Sequence, residues 1–103
     1  MYTRLLALRY LSTYLQQQPH GPEYSVSGTE LYGWLRVYLS VAGQRQRSDY
    51  GYAANRLYCT LIDAYRCAGG YVGIEQGQEF FDVEALYNAV GQLYNQLISA
   101  GTS

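Results

Sequence analysis

The residues of this chain with the greatest potential for chemistry are one histidine and two cysteines. His20 lies between Pro19 and Gly21, and Cys59 stands eight positions before Cys67. A thiol beside an imidazole can act as a nucleophile, and thiols together with imidazoles bind zinc. The spacing of these three residues is typical of neither kind of site. We therefore expect no enzymatic activity, no metal ion and no other cofactor.

Both cysteines fall on one predicted helix, where eight residues rise about 12 Å. A disulfide requires Cα atoms within about 7 Å, so the two thiols cannot pair with each other there. Free thiols indicate a reducing compartment, and we expect a cytoplasmic protein. No apolar run approaches the ~18 residues of a membrane span, and the N-terminus lacks the pattern of a signal peptide, so we expect no membrane contact.

Charge is distributed unevenly along the 103 residues, although the formal net charge is only −1. Residues 31–67 contain five arginines and two aspartates, which gives +3, whereas residues 68–103 contain four acidic residues and no cation, which gives −4. There are thirteen tyrosines, and every Lys or Arg position is an arginine. Tyrosine and arginine are favoured at contact surfaces, but a bias in genomic composition would produce the same counts.

Apolar spacing and end signals predict four helices that position these residues. The first spans residues 2–18 and is ended by Pro19 and Gly21. The second begins after Ser27, which has the spacing of a capping box, and ends before Gly43, which is expected to form its C-cap.

The third and fourth helices are predicted in the second half of the chain. The third follows a cap at Ser48 or Asp49 and reaches residue 68. The fourth follows a cap at Asp82 and reaches about residue 99. The last helix is the most clearly amphipathic of the four, since its apolar residues fall within one continuous arc.

Two segments between the helices have the character of β-strands. Alternating residues at 23–26 predict one short strand. Residues 71–82 are rich in Val, Ile, Phe and Tyr on both sides of Gln76 and Gly77, which predicts a β-hairpin with its turn at that pair. The acidic residues of this hairpin fit an edge that resists pairing with other strands.

The order helix, short strand, helix, turn, helix, hairpin, helix resembles the winged helix-turn-helix architecture. The segments that carry the resemblance are EYSVSGTELYGWLRVYL, RSDYGYAANRLYCTLIDAYRCAGG and YVGIEQGQEFF. We expect a single, mainly α domain over residues 1–103, with four helices and a short β-hairpin. A four-helix bundle with an irregular segment at 71–82 is the alternative fold. The turn before the third helix is longer than usual, and the hairpin is acidic where many such proteins have a basic one.

The resemblance implies that the N-terminal half of the third helix enters the major groove of double-stranded DNA. Asparagine and arginine on its exposed face would read adenine and guanine, and arginines near the preceding turn would contact phosphates. The protein would then be a sequence-specific DNA-binding regulator of transcription. Its predicted contact residues are Arg36, Arg45, Arg47, Tyr52, Asn55, Arg56 and Thr60. The same face is also consistent with a solvated surface on which Asp63 pairs with Arg56 and Arg66.

A non-enzymatic protein-interaction module, such as an adaptor or an inhibitor, is the alternative function on the same fold. The acidic C-terminal third and the near-neutral net charge favour it. The apolar residues of the first helix surround its axis, so the terminal helices offer more apolar surface than a small core needs, and we expect a homodimer. The residues assigned to its interface are Leu5, Leu8, Leu11, Leu86, Val90, Leu93 and Leu97.

Overall fold

The computed structural model of the chain describes residues 2–20 and 23–100, and Gly21, which was expected to help end the first helix, lies outside them. The chain is mainly helical and includes one small sheet. Its elements in order are α1 (Tyr2–Gln16), β1 (Ser25–Ser27), α2 (Gly28–Gly43), a 3₁₀ turn (Arg47–Tyr50), α3 (Gly51–Cys67), β2 (Val72–Glu75), β3 (Gln78–Asp82) and α4 (Val83–Ser99). The predicted order of helices and strands is confirmed.

Side-chain caps begin two of the helices, as predicted. Ser27 Oγ accepts a hydrogen bond from the Glu30 backbone N–H at 3.1 Å and donates to the Glu30 carboxylate at 3.2 Å. Asp82 accepts from the Glu84 backbone N–H at 2.9 Å at the start of α4. Both caps satisfy a backbone N–H group that the helix itself cannot pair.

The segment between α2 and α3 differs from its prediction at both ends. α2 includes Gly43, and the left-handed residue that follows the helix is Gln44, with φ 57°. Gly43 instead leaves space for the end of the Tyr50 side chain, because a methyl group there would force the Tyr50 ring to move. Neither Ser48 nor Asp49 caps α3, since both lie in the 3₁₀ turn and no side chain caps α3.

The end of α3 is built by backbone hydrogen bonds. Gly69 has φ 84°, its N–H donates to the Arg66 carbonyl at 3.0 Å, and the Gly70 N–H donates to the Tyr65 carbonyl at 2.9 Å. This pair of bonds is a Schellman motif, which needs a left-handed residue at the position of Gly69. The motif turns the chain directly into the hairpin.

The three strands form an antiparallel sheet in the order β1-β3-β2. Val26 of β1 and Val72 of β2 both pair with Phe81, so β3 is central. Gln76 and Gly77 both have positive φ, 53° and 77°, as a two-residue type I′ hairpin turn requires. The predicted hairpin is confirmed, and the alternative of a four-helix bundle with an irregular 71–82 segment is wrong.

The core lies where α1, α2 and α4 meet α3 and the sheet. α1 packs against α2 on one side and α4 on the other, and α4 also packs against α3. Six of the seven residues assigned to a dimer interface are buried in this core and Leu97 packs against it, so that assignment is wrong. Leu5, Leu8, Leu11 and Leu15 of α1 are buried within the chain, whereas Tyr10 is 37% accessible, so a homodimer would need a different surface from the predicted one.

Candidate nucleic-acid interface

The outward face of α3 is polar and exposed to solvent. The inward face of α3 packs into the core, and its buried residues are Ala54, Leu57, Leu61, Ile62, Ala64 and Tyr65. Its opposite side exposes Tyr52, whose side chain is 75% accessible, together with Asn55 and Arg56. The apolar period of the helix therefore directs the predicted contact residues of α3 to solvent.

Arg56 is held over a ring and keeps its hydrogen-bonding capacity. Its guanidinium carbon lies 5.9 Å from the centroid of the Tyr52 ring, within the range of a cation–π contact. Within residues 2–20 and 23–100, no carboxylate pairs with Arg56. The ring limits where the guanidinium can move, while the N–H groups remain available to an external acceptor.

Thr60 is less available than its position on the helix predicts. Its hydroxyl donates to the Arg56 backbone carbonyl at 2.9 Å, one turn back along α3. The hydroxyl hydrogen is thus used inside the helix, and only the oxygen lone pairs could serve a ligand. Thr60 can accept a hydrogen bond from a base but cannot donate one without breaking this contact.

Three arginines gather at the turn between α2 and α3. Arg36 Nη2 donates to the Arg47 backbone carbonyl at 3.3 Å, and the Arg36 guanidinium carbon lies 5.8 Å from the Tyr32 ring centroid. Arg45 follows the end of α2, and its carbonyl accepts a hydrogen bond from the Ser40 hydroxyl. The Tyr32 hydroxyl donates to the Gly51 carbonyl at 3.2 Å. These bonds fix the turn against α2, immediately before α3 begins.

Arg66 lies apart from this group, at the other end of α3. Its Nη2 lies 3.4 Å from Glu79 Oε2 of the hairpin, and both side chains are exposed. The pairing of Asp63 with Arg66 that the sequence suggested is therefore replaced by a contact between α3 and β3. Ten residues of helix separate Arg56 from Arg66, about 15 Å along the axis. Of the five arginines in residues 31–67, Arg66 is therefore apart from the four that were predicted to contact DNA, which lie near the α2–α3 turn and in the N-terminal half of α3.

The hairpin presents a surface unlike that of the turn. Glu75 is exposed on it and Glu79 is half-buried, and neither β2 nor β3 contains a cation. Tyr71, just before β2, and Ile74 within it are 80% and 75% accessible. A hairpin that is acidic and apolar does not attract phosphates.

A cleft of about 530 Å³ lies between the N-terminus of α2, the middle of α3 and the hairpin. Asn55 and Tyr58 of α3 line one side, and Gly77, Gln78 and Glu79 line the other. Burial raises the pKa of Tyr58 above its ordinary value, and the negative charge of Glu79 raises it further. The Tyr58 hydroxyl is therefore neutral at physiological pH.

The histidine follows α1, whereas both cysteines lie on α3. His20 Nε2 lies 3.1 Å from the Leu15 carbonyl, and its ring meets Tyr87 edge to face at 5.7 Å between centroids. Cys59 and Cys67 are exposed free thiols, as predicted. In the described part of the chain, no three residues of the types His, Cys, Asp and Glu gather as a metal ion would require.

The sequence missed one part of this surface. Thr29 and Tyr32 of α2 line two clefts. One cleft lies next to the turn that precedes α3, and the other lies between α3 and the hairpin. Both residues stand on α2, of which only Arg36 was predicted to be a contact residue. Their spacing of three was the only available signal, because it places them on one helix face.

The helices, the sheet order β1-β3-β2 and the exposed α3 together are compatible with a winged-helix layout. No protein-family model, curated protein or solved structure matches the chain. Across residues 2–20 and 23–100, none of the helices has both the length and the apolar character that a membrane crossing needs.

Proposed function

We propose that this protein is a winged-helix, sequence-specific DNA-binding regulator that inserts the N-terminal half of α3 into the major groove. The observation that carries the proposal is the position of the unpaired arginines. Arg56 projects from an exposed helix face, and Arg36, Arg45 and Arg47 adjoin the same end of that helix. A cationic group beside an exposed helix is the footprint of a groove-reading protein.

The roles within this surface follow from hydrogen-bonding geometry. Asn55 can bond an adenine through both its carbonyl and its amide, and Arg56 can bond a guanine with two N–H groups. Tyr52 supports Arg56 from below and offers an apolar ring to a thymine methyl group. The arginines of the turn would contact phosphates, which fix the register without reading sequence.

The acidic hairpin restricts the binding mode. In this proposal β2 and β3 stay outside the grooves, because Glu75 and Glu79 would be repelled by phosphates. Three phosphate contacts, by Arg36, Arg45 and Arg47, predict a slope of log Kd against log salt of about 2.7. Affinity would then fall roughly 40-fold between 50 and 200 mM salt.

A selection from randomised duplexes followed by fluorescence anisotropy tests the proposal. We expect Arg45→Gln and Arg47→Gln each to weaken all duplexes alike and to reduce the salt slope by about 0.9. We expect Asn55→Ala to lower the preference for the selected site over other duplexes by about 1–3 kcal/mol, with a smaller effect on non-specific binding.

Arg66→Gln is the matched control, because it removes the same charge at the far end of α3, where Glu79 already pairs with it. Its affinity should stay within about twofold of the wild type at 100 mM salt. Binding that is equally weakened by Arg66→Gln and Arg47→Gln would show a non-localised charge effect and refute the assigned surface. No shift of any duplex at 20 mM salt would refute DNA binding itself.

A protein-interaction role is the second candidate, and the hairpin favours it. Tyr71 and Ile74 expose large apolar side chains beside Glu75, as a contact with an apolar and basic protein surface would require. Replacing both apolar residues with serine should abolish a stoichiometric, nuclease-resistant protein complex. The same double variant should leave duplex binding unchanged if the first candidate is correct.

A further inference from the structure

We infer that the cleft between α2 and the following turn is a preformed site for a single phosphate group, anchored by Arg36. The cleft measures about 820 Å³, within the ~300–1,000 Å³ range of small-molecule sites. The residues that could contact a ligand there are Thr29, Tyr32, Arg36, Gln46, Arg47 and Ser48. The inference rests on the proposed function for the source of the phosphate, but not for the existence of the site.

The state of Arg36 is the first observation that points to an anion. This side chain is half-buried, yet no acidic group of the described residues pairs with it. Its Nε is fully covered and has no hydrogen-bond partner. A buried N–H without an acceptor is costly, and an anion that turned the guanidinium toward the cleft would recover that cost.

The lining of the cleft is the second observation. It contains two arginines, the hydroxyls of Thr29 and Ser48 and the amide of Gln46, but no carboxylate. Asp49 follows Ser48 along the turn and is not part of the lining. Hydroxyl, amide and guanidinium donors around an open space form a set that matches phosphate oxygens.

Preorganisation is the third observation. The Arg36 guanidinium lies over the Tyr32 ring and bonds the Arg47 carbonyl, while the Tyr32 hydroxyl bonds Gly51. These contacts keep the Arg36 guanidinium beside the cleft, so binding requires only a rotation that turns its covered Nε toward the ligand, and the ordering cost of binding stays low. Arg45 differs, because it is exposed and does not line the cleft.

The chemistry accepts either a phosphodiester of a nucleic-acid backbone or a free phosphate monoester. The first test is a titration of ¹⁵N-labelled full-length chain with inorganic phosphate at constant ionic strength. We expect saturable shifts of the Arg36 Nε–H and of the backbone amides of residues 46–48. Shifts that do not saturate, or that spread over the surface without favouring this cleft, would overturn the inference.

Variants locate the site. Arg36→Gln should weaken phosphate binding about tenfold, and Arg36→Lys should weaken it severalfold because lysine lacks the planar fork. Arg66→Gln, the control at the far end of α3 and outside the cleft, should change it less than about twofold. An equal loss in Arg66→Gln and Arg36→Gln would overturn the inference. If Arg36→Gln does not fold, Ser48→Ala takes its place, because it removes one lining hydroxyl from an exposed turn. We expect Ser48→Ala to weaken phosphate binding about threefold.

Competition identifies the source of the phosphate and separates the two proposals. Displacement of inorganic phosphate from the Arg36 site by a DNA duplex would support both the site and the proposed function. Binding of glycerol 3-phosphate at the same site, with no binding of any duplex, would support the site and refute the proposed function. Duplex binding that leaves the Arg36 Nε–H unchanged, together with no saturable shift in the titration with inorganic phosphate, would overturn the site and leave groove reading by α3 standing.

Discussion

The Tyr65 hydroxyl joins three elements, and Tyr65→Phe should destabilise the fold more than any other tyrosine-to-phenylalanine change. The side chain is 0% accessible, and its ring meets Phe81 edge to face with 5.2 Å between centroids. The hydroxyl donates to the Tyr71 carbonyl, before β2, and accepts from the Asp82 N–H at 3.0 Å, at the start of α4. The change to phenylalanine keeps the ring and removes only these two bonds.

The expected loss follows from those two bonds. Each contributes about 1 kcal/mol net, so we expect the free energy of unfolding to fall by about 2 kcal/mol. For a chain of this length, that corresponds to a fall in Tm of roughly 8–16 °C. The Asp82 N–H and the Tyr71 carbonyl would be left beside an apolar ring, which adds to the loss unless water reaches them.

Urea denaturation followed by circular dichroism measures the change. Tyr52→Phe is the control, because that side chain is exposed and should change the free energy of unfolding by less than about 0.5 kcal/mol. The midpoint should shift while the slope against urea stays constant. A loss below 0.5 kcal/mol for Tyr65→Phe would show that the hydroxyl does not connect α3, the hairpin and α4 in the way described.

Three further predictions concern the same fold. A methyl group at Gly70 would lie 2.6 Å from two carbons of the buried Tyr65 ring. Gly70→Ala should therefore lower the free energy of unfolding by about 1–3 kcal/mol, and an unchanged Tm would contradict this packing. Ser27→Ala removes the cap of α2 and should lower the free energy of unfolding, measured by urea titration, by about 1 kcal/mol. A change near zero would mean that the cap is not formed. Burial raises the pKa of Tyr38, Tyr58 and Tyr65 above 10.0, so their contribution to stability is complete below pH 10 and is lost as the pH rises through the folded-state values. Tyr58→Phe should therefore flatten the loss of stability as the pH rises above 10, and an unaltered pH profile would argue against a buried, neutral hydroxyl.

Local chemistry explains why the secondary structure could be predicted from the sequence. The caps at Ser27 and Asp82, the Gly69 stop and the Gln76-Gly77 turn each involve residues within a few positions of one another. Such signals act before any tertiary contact forms, so they can be read along the chain. The segment between α2 and α3 was the exception, because Gln44 replaced Gly43 as the left-handed residue after α2 and a 3₁₀ turn replaced the expected cap of α3.

The candidate site could be predicted only in part. The amphipathic period of α3 placed Tyr52, Asn55 and Arg56 on its exposed face. The period could not show that Arg36 reaches the Arg47 carbonyl, or that Arg66 turns away to Glu79. Those partners are 11 and 13 positions apart in the chain, and their meeting depends on how α2, the turn and the hairpin pack.

The sequence by itself determined which segments are helices and strands, where most of them end, and which residues of α3 are polar. Only the tertiary structure decided what covers the apolar residues. Leu8 and Leu11 of α1 and Val90 of α4 have the composition of either an interface or a core, and packing within one chain buries them all. The physical reason is that burial of apolar area is non-directional: the hydrophobic effect requires that these side chains leave water, and the arrangement of the neighbouring helices selects which surface covers them.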